Sequence, residues 1–344
     1  MKERRATSLD IAYRAGVSQS TVSRALRNSP LVTPETRQKI QEIARELNYR
    51  VDKNAAGLRS QSSKTLALLL FEDPTTDDSH INPFFLSLLG SITRFSSGHG
   101  YDLLLSFQQF SEDWHIDYEV SSRADGIILL GYGDYMTYRE KLEQLDNAGA
   151  RFIIWGPKEE GQPGLSLSCD NFAGGRAGAE HLIQLGHRQI AFIGGNTQRS
   201  PEFMLRYQGH MEALREAGIE PEPGLQHEAY NFEEEGCEGV HKLLRSGKKF
   251  TAIQCASDLI AIGAIRALRE HQLEVPRDIS VLGFDDIPAA SYMYPPLTTV
   301  HQDTHRSGEL LVAKLIQLIE GETVQSELVT PRLVERQSCA PLAK

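Results

Sequence analysis

The amino-acid sequence predicts a small all-α head followed by a larger two-lobed α/β body. Within the first 50 positions, apolar residues recur at helical spacing between short polar breaks. From Thr65 onward, continuous apolar runs alternate with amphipathic stretches, the pattern of strands and helices in a doubly wound parallel sheet. The alternation restarts near Leu165, so we expect two such sheets with a ligand-binding cleft between them.

The composition is that of a globular chain, with neither a membrane span nor a secretory signal expected. Of the 344 residues, 40% are hydrophobic and 24% are charged, and no run of 18 apolar residues occurs. The first ten residues lack the apolar stretch of a signal peptide. The four cysteines are widely spaced and form no CxxC pair, so we expect reduced thiols in a cytosol, without structural zinc or disulfides.

Charge is distributed unevenly along the chain. The net charge is −10 overall, yet residues 1–61 hold twelve Lys and Arg against six Asp and Glu. The remaining residues hold 24 basic and 40 acidic side chains. A basic head on an acidic body is expected when only the head meets phosphate, although a solvated basic tail would give the same counts.

Residues 1–50 are predicted to form three short helices. Thr7 can cap the first helix through a capping box, and Gly16 would end that helix. Ser18 can cap a second helix, and the tight turn between the first two helices makes a helix-turn-helix. Thr33 can cap the third helix, which has proline at its first position.

The outer face of the second helix carries short hydrogen-bonding side chains and one guanidinium. These side chains are Gln19, Ser20, Thr21, Ser23 and Arg24. At the start of a recognition helix, such groups can reach base edges in the major groove, where arginine pairs with guanine through two hydrogen bonds. The alternative is a solvent-exposed helix face without any base contact.

The head resembles the DNA-binding domain of the lactose-repressor (LacI/GalR) family, through AGVSQSTVSRAL, then VTPETRQKI and LNY. The resemblance implies two kinds of DNA contact, to bases and to phosphates. The residues implied to touch bases are Gln19, Ser20 and Arg24. The residues implied to lie mainly on phosphate are Thr7, Thr21 and Arg37.

Residues 51–63 form a polar linker, which in the resembling family becomes a hinge helix only on operator DNA. Leu58 matches the leucine that wedges into the minor groove and unstacks a base step. Ala55 matches a small residue near the groove floor, and Lys53 can reach a phosphate. Gly57 lies inside the expected hinge helix, where glycine costs about 1 kcal/mol relative to alanine. The resemblance therefore implies a hinge helix of low stability.

The body resembles the same family over segments that bring the total match to about residues 5–340, and it also resembles periplasmic sugar-binding proteins. The residues implied to bind an effector are Phe84, Phe85, Arg206, Phe232, Ser257, Asp258 and Asp285. The guanidinium and the carboxylates suit a polyhydroxylated ligand, and the aromatic rings suit the apolar face of a sugar. Each of these side chains also has a structural alternative, namely an ion pair, a helix cap or the hydrophobic core.

We expect a helix-turn-helix domain, a hinge, and a body for effector binding and dimerisation, at 1–50, 51–63 and 64–344. Within the body, the expected first lobe is about 64–164 plus 296–325, and the second is about 165–295 plus 326–340. Two heads on a symmetric dimer predict a palindromic operator with half-sites about one turn apart. Leucine heptads are lacking after residue 325, so a tetramer-forming coiled coil is not expected.

The leading hypothesis is a transcription regulator, in this family usually a repressor, whose operator affinity depends on a small molecule, expected to be a sugar. A purine corepressor is one alternative, and a sugar-binding receptor or enzyme with the same α/β body is another. The sequence leaves open whether the ligand releases or promotes DNA binding. A nucleophile elbow, a P-loop and a dinucleotide fingerprint are all lacking, so neither an enzyme nor a cofactor is expected. His301 and His305 lack the HEXXH pattern, so no metal site is expected.

Overall fold

The chain divides into two units, residues 1–63 and 64–344. The computed structural model describes residues 6–26, 28–49, 62–71, 81–108, 114, 116–131, 135–195, 197 and 200–342. In this part of the chain, none of the helices combines the length and the apolar character that crossing a membrane requires.

The first unit contains the three predicted helices, α1 (Ser8–Ala15), α2 (Gln19–Leu26) and α3 (Pro34–Glu46). The capping box of α1 is confirmed: the backbone N–H of Thr7 donates to Asp10 Oδ2 at 2.7 Å, and the Asp10 N–H donates to Thr7 Oγ1 at 3.4 Å. Gly16 ends α1 in the left-handed region, with φ of 72°. The Thr33 hydroxyl caps α3 by accepting from the Thr36 N–H.

The helices of this unit share a small core, which decides which face of α2 points outward. Ile11, Val22, Ala25 and Ile40 are each fully buried where α1, α2 and α3 meet. Because side chains about 100° apart around a helix cannot all face inward, burial of Val22 and Ala25 turns the polar side chains of α2 outward.

The second unit alternates strands with helices. Its strands are β1 (Thr65–Phe71), β2 (Asp102–Gln108), β3 (Gly126–Leu130), β4 (Phe152–Trp155), β5 (Leu165–Cys169), β6 (Ile190–Ile193), β7 (Gln226–His227), β8 (Ala252–Cys255), β9 (Ser280–Asp285), β10 (Thr298–His301), β11 (Glu327–Val329) and β12 (Arg332–Val334). Its helices are α4 (Pro83–Gly98), α5 (Tyr135–Asn147), α6 (Asn171–Gln184), α7 (Pro201–Glu216), α8 (Glu233–Arg245), α9 (Asp258–Glu270), α10 (Pro288–Tyr292) and α11 (Thr304–Ile319), with a π-helical turn at Ile116–Val120.

These strands form two sheets, as predicted. The first has the order β11-β5-β4-β3-β1-β2 and is parallel throughout, and the second has the order β12-β10-β9-β8-β6-β7. In the second sheet only the pairing of β12 with β10 is antiparallel. Strands such as β3 and β5 are buried along their whole length, because helices cover both faces of a parallel sheet.

Two strands, β5 and β10, lie in a different sheet from the one that the sequence-based lobe boundaries imply. β5 pairs with β4, with Leu165 beside Ile153, so the strand that was expected to open the second lobe belongs to the first sheet. β10 pairs with β9, with Thr299 beside Gly283, so a strand expected in the first lobe belongs to the second sheet. These two pairings place β5 and β10 in other sheets than the lobe boundaries at 165 and 296 imply. For β5 the reason is that an apolar run predicts a buried strand but not its neighbour.

After β10 the chain does return to the first sheet, where α11 packs against α4, β3 and β4. Gly308 of α11 lies so close to α4 that a Cβ there would be 2.5 Å from the Cβ of Ser91. β11 then joins the edge of the first sheet and β12 that of the second. The polypeptide thus connects the sheets after β5, after β10 and after β11.

Candidate functional site

The outward face of α2 presents the side chains that the sequence predicts to meet DNA bases. Ser20 and Arg24 are exposed, and Gln19 and Thr21 are half-buried. The Gln19 Nε2 donates to Ser8 Oγ at 2.8 Å, so this amide is held close to α1. The face therefore combines one guanidinium with amide and hydroxyl groups, which is the donor and acceptor set for reading base edges.

Ser18, which precedes α2, orders the first turn of that helix. Its hydroxyl lies 2.8 Å from Ser20 Oγ and 2.9 Å from Thr21 Oγ1, and it accepts from the Thr21 N–H at 3.2 Å. These groups are all near solvent, so their bonds can be exchanged for bonds to a nucleic acid. Binding of Ser20 to a base and of Thr21 to a phosphate stays a prediction.

Two of the predicted phosphate contacts already have partners inside the head. The Thr7 hydroxyl lies 2.7 Å from Asp10 Oδ2 within the capping box. Arg37 Nη2 donates to the carbonyls of Ser29 and Val32, at 2.8 and 3.1 Å, and so fastens the segment between α2 and α3. The remaining predicted DNA contacts, Lys53, Ala55 and Leu58, lie outside the described residues.

In the body, Arg206 of α7 and Asp285 at the end of β9 come together. Arg206 Nη1 lies 3.5 Å from Asp285 Oδ1 and donates to the carbonyl of Ala256, while Nε donates to Asn171 Oδ1 at 2.8 Å. The guanidinium carbon also lies 3.7 Å from the ring centroid of Phe284. Arg206 is 1% exposed and Asp285 is 2% exposed, so the two side chains form a buried ion pair, and their contact with an effector stays a prediction.

One oxygen of Asp285 accepts no hydrogen bond from the described part of the chain. Oδ1 accepts from Gln302 Nε2 at 2.6 Å, whereas Oδ2 is buried without a hydrogen bond from any described residue. Burial raises the pKa of this carboxyl to about 6. The backbone φ of Asp285 is 114°, a strained value for a residue with a side chain. Since unsatisfied buried acceptors and strained backbone concentrate at ligand sites, Oδ2 is the clearest candidate acceptor for a bound molecule.

The residue after Asp285 is held by charged partners. Asp286 accepts from Arg336 Nη2 at 2.6 Å and lies 3.0 Å from His301 Nδ1. His305 instead packs its ring against Phe95, with 5.0 Å between the ring centroids. His301 and His305 therefore have different neighbours and do not share a carboxylate partner.

Ser257 and Asp258 are fully buried and have internal partners. The Ser257 hydroxyl caps α9 by accepting from the Ile260 N–H at 3.3 Å. Asp258 accepts from Thr299 Oγ1 at 2.6 Å and from the Ile287 N–H at 2.8 Å, and burial raises its pKa well above the usual value. Asp258 thus holds α9 against the segments that follow β9, and contact of either side chain with an effector stays a prediction.

The predicted aromatic walls are divided between core and surface. Phe84 and Phe85 at the start of α4 are 1% and 4% exposed, and both belong to the main hydrophobic core. Their rings meet edge to face at 5.4 Å, and Phe84 lies 5.9 Å from Trp155. Phe232, immediately before α8, is half-buried. Phe84 and Phe85 are therefore core residues, which is the structural alternative to lining a pocket. The Phe232 side chain is still partly accessible to solvent.

Two polar residues were missed by the sequence analysis. Glu202 lies one turn before Arg206 on α7, on the same helix face, and burial raises its pKa. Its Oε1 lies 3.8 Å from where a Cβ on Gly156, beyond β4, would be. Asn231 has both amide atoms buried without a hydrogen bond among the described residues. The four-residue spacing to Arg206 could have revealed Glu202, whereas burial of Asn231 depends on the tertiary structure.

Comparison with known proteins gives a family match in each unit. Residues 7–52 match bacterial regulatory proteins of the lacI family, and residues 179–339 match a periplasmic binding protein-like domain. The HTH-type transcriptional repressor PurR of Histophilus somni (strain 2336) is 32% identical over 343 residues, which cover 98% of this chain and 100% of that protein. The ribose operon repressor of Escherichia coli (strain K12) is 31% identical over 339 residues, covering 97% and 99%.

Solved structures show the same architecture. The Lac repressor dimer bound to operator and the anti-inducer ONPF has a TM-score of 0.82 at 27% identity, covering 98% of this chain and 100% of that chain. A complex of the transcriptional regulator CelR with cellobiose has a TM-score of 0.72 at 30% identity, covering 97% and 100%.

Proposed function

Since this chain belongs to the LacI family of bacterial regulatory proteins, we propose that a sugar bound beside Arg206 and Asp285 controls its affinity for operator DNA. The chain is a DNA-binding transcription regulator and not an enzyme, and like its family it binds operator DNA as a dimer. The cytoplasmic location, the effector, its site residues and the direction of its effect are the proposed part.

The observation that carries the proposal is the unpartnered Oδ2 of Asp285 next to the Arg206 guanidinium. A sugar hydroxyl can donate to this oxygen and accept from a guanidinium N–H at the same time. Satisfying a buried, unpaired acceptor removes a penalty of about 1–3 kcal/mol, which adds to the affinity of a ligand that carries a donor there.

The charge of the surroundings favours an uncharged ligand. Burial raises the pKa of Asp285 and that of Glu202, one turn from Arg206, so these surroundings disfavour negative charge. A phosphorylated sugar would place further negative charge beside them, at a cost in a poorly solvated site. A neutral polyhydroxylated molecule fits better. Relatives support this class, since one is a ribose operon repressor and a regulator of the same architecture is complexed with cellobiose.

A purine base is the second candidate. Asn231 offers a buried donor and a buried acceptor that no described residue satisfies, and the half-buried ring of Phe232 follows it directly. An amide reads the edge of a flat heterocycle through paired hydrogen bonds, and an aromatic ring stacks on its face. A screen for the effector therefore has to include both classes.

The coupling to DNA rests on the connections between the sheets. The effector site involves strand ends of the second sheet, and the chain connects the two sheets after β5, β10 and β11. A ligand that binds one angle between the sheets more tightly shifts the population toward that angle. The angle would set the spacing of the two hinges in the dimer, and hence the operator affinity.

The test is operator selection from a library of palindromic DNA by the full-length protein, followed by affinity measurements with a panel of sugars and purines. Enrichment of one palindrome whose affinity one sugar changes would support the proposal. A response only to purines would move the assignment to the second candidate. No sequence preference at moderate salt would overturn the base-reading role of Gln19, Ser20 and Arg24.

A further inference from the structure

The neighbouring helices α8 and α9 carry a cluster of metal-ligating side chains that includes neither Arg206 nor Asp285. Cys237 and His241 lie one turn apart on α8, and Glu270 ends the neighbouring helix α9. Their ligand atoms, a sulfur, a ring nitrogen and a carboxylate oxygen, all lie within 4.8 Å of one another. From this geometry we propose that Cys237, His241 and Glu270 bind a divalent transition-metal ion of the zinc class.

The donor set matches zinc chemistry. Zn²⁺ binds cysteine sulfur at about 2.3 Å, histidine nitrogen at about 2.0–2.1 Å and carboxylate oxygen at about 2.0–2.2 Å, usually with four ligands. His241 Nε2 lies 3.8 Å from Glu270 Oε2, close to the separation of two ligands on one tetrahedral ion. Sulfur and imidazole together disfavour Mg²⁺ and Ca²⁺, which prefer oxygen.

Close helix packing places the ligands rigidly. α8 and α9 touch through Gly236 and Gly263: a Cβ on Gly236 would be 2.0 Å from the Ile260 carbonyl oxygen, and one on Gly263 would be 1.8 Å from that of Glu233. The two backbones are therefore fixed against each other next to Cys237. A ligand set drawn from such a helix pair needs only side-chain movement to close on an ion.

Further groups surround the three ligands. Glu238 Oε2 lies 3.7 Å from His241 Nδ1, whereas Glu270 is near the other ring nitrogen, Nε2. In metal sites, a carboxylate at the second ring nitrogen commonly fixes the orientation of the histidine ligand. The ring of His271 lies edge to face with that of His241, 5.3 Å between centroids. His271 therefore lies next to the histidine ligand, and water can supply the fourth ligand.

The site is accessible to an ion from solvent. The Glu270 side chain is 55% exposed and that of His241 is 31% exposed, while Cys237 is buried at the base of the cluster. Arg266 hydrogen-bonds to Cys237 and has Glu233 and Glu234 nearby. Because Arg266 is itself exposed, its guanidinium can turn to solvent or to these carboxylates when an ion takes its place.

The proposal predicts that one ion per chain stabilises the pairing of α8 with α9, independently of the sugar. The test uses the full-length protein stripped of metal with a chelator and then titrated with Zn²⁺ or Co²⁺. Bound metal is counted by equilibrium dialysis, and Co²⁺ adds a sulfur-to-metal charge-transfer band that reports a cysteine ligand. The melting temperature should rise with metal concentration.

The variants are Cys237→Ser, His241→Gln and Glu270→Gln. We expect each to weaken metal binding about tenfold or more, and Cys237→Ser to abolish the charge-transfer band. Glu270 is exposed, so its variant tests the site even where a change at buried Cys237 reduces folding. Matched controls are Cys339→Ser and His99→Gln, which remove the same ligand types elsewhere and should leave binding unchanged.

Absence of binding by the wild type would overturn the proposal. Binding that survives both Cys237→Ser and His241→Gln would overturn it as well, since the ion would then lie elsewhere. Loss in His241→Gln with an intact charge-transfer band in Cys237→Ser would contradict the assignment of sulfur as a ligand. None of these outcomes depends on the identity of the effector.

Discussion

Arg206 Nη1 lies 3.5 Å from Asp285 Oδ1, and both side chains are withdrawn almost completely from solvent. A guanidinium buried in this way is tolerated only because it is paired and hydrogen-bonded, here also to Asn171 and to the Ala256 carbonyl. The arrangement holds a cation and a half-satisfied carboxylate in fixed positions before any ligand arrives. Such preorganisation lowers the cost of binding.

Arg206→Lys should weaken effector binding while leaving the fold in place. Lysine keeps the positive charge beside Asp285 but lacks the planar fork that reaches Asn171 and Ala256 simultaneously. We expect a loss of about 1–3 kcal/mol in binding free energy, because the ammonium group does not offer the ligand the N–H donors of the guanidinium. Calorimetric titration of the effector into both proteins measures it, and equal affinities would contradict the role assigned to the guanidinium.

Effector affinity should fall at acid pH. Burial raises the pKa of Asp285 from 3.8 to about 6, so the carboxylate that accepts ligand hydroxyls is present above pH 6 and is lost as the pH falls through 6. The dissociation constant should then rise by up to about tenfold per pH unit. Because the folded state takes up this proton before the unfolded state does, Asp285 itself does not destabilise the fold on acidification.

The matched variant for this pH dependence is Asp285→Asn, which cannot ionise at this position. It should bind the effector more weakly at pH 7 and should lose the dependence between pH 7 and 5. A wild-type affinity that stays constant over this range would count against Asp285 as the acceptor.

His210 should make the protein acid-sensitive. Its ring is buried and lies 2.7 Å from Gln254 Oε1, and burial lowers its pKa from 6.5 to about 4. Between these values the unfolded chain binds the proton more readily, so stability falls as the pH drops from 6.5 to 4. The loss attributable to this one group is on the order of 3 kcal/mol.

Chemical denaturation at pH 7 and pH 5 measures the part of this loss that falls above pH 5, about 2 kcal/mol. In His210→Gln, the difference in unfolding free energy between pH 7 and pH 5 should be smaller by the contribution of this histidine. An unchanged difference would show that other groups cause the acid sensitivity.

Gly175→Ala should be strongly destabilising because α6 and α7 meet at this residue. An added Cβ would lie 2.0 Å from the carbonyl oxygen of Arg206, so α7 must move and carry the guanidinium with it. We expect a loss of about 1–3 kcal/mol in unfolding free energy, together with weaker effector binding. The control is Gly90→Ala on the exposed side of α4, where the Cβ meets nothing within 4 Å and should stabilise by about 0.5–1 kcal/mol. Thermal unfolding distinguishes the two.

Arg24→Ala should relax sequence specificity as well as weaken DNA binding. If Arg24 reads a guanine, its loss removes about 1–3 kcal/mol of discrimination at one position of each half-site. Arg45→Ala serves as the control, since it removes one exposed positive charge from α3. Binding curves on the selected palindrome and on single-base variants should show lost discrimination for Arg24→Ala and unchanged discrimination for Arg45→Ala.

The local features of the fold followed from the sequence because they depend on neighbours along the chain. The capping box at Thr7, the glycine stop at Gly16 and the apolar runs of β1 and β9 all occur where the pattern predicts them. Strand partners did not follow, because the apolar run that begins at Leu165 suits either sheet, and the segment around Thr299 was placed only by the family resemblance. Pairing is decided by contacts far apart in sequence.

The candidate site was predictable to the same extent. Arg206 and Asp285 were identified because each follows or ends a strand and because the family resemblance covers them. The burial of Phe84 in the core and the unpartnered amide of Asn231 could not be predicted, since both depend on which atoms the tertiary fold brings near. The cluster of Cys237, His241 and Glu270 was hidden for the same reason, because its third member lies on another helix.

The most direct test of the central claim compares operator affinity with and without the identified sugar, for wild type, Arg206→Lys and Asp285→Asn. We predict that the sugar changes wild-type affinity about fivefold or more. Both variants should bind the operator nearly as well as wild type but respond little at the same sugar concentration. A full response in both variants would contradict control of operator affinity through Arg206 and Asp285.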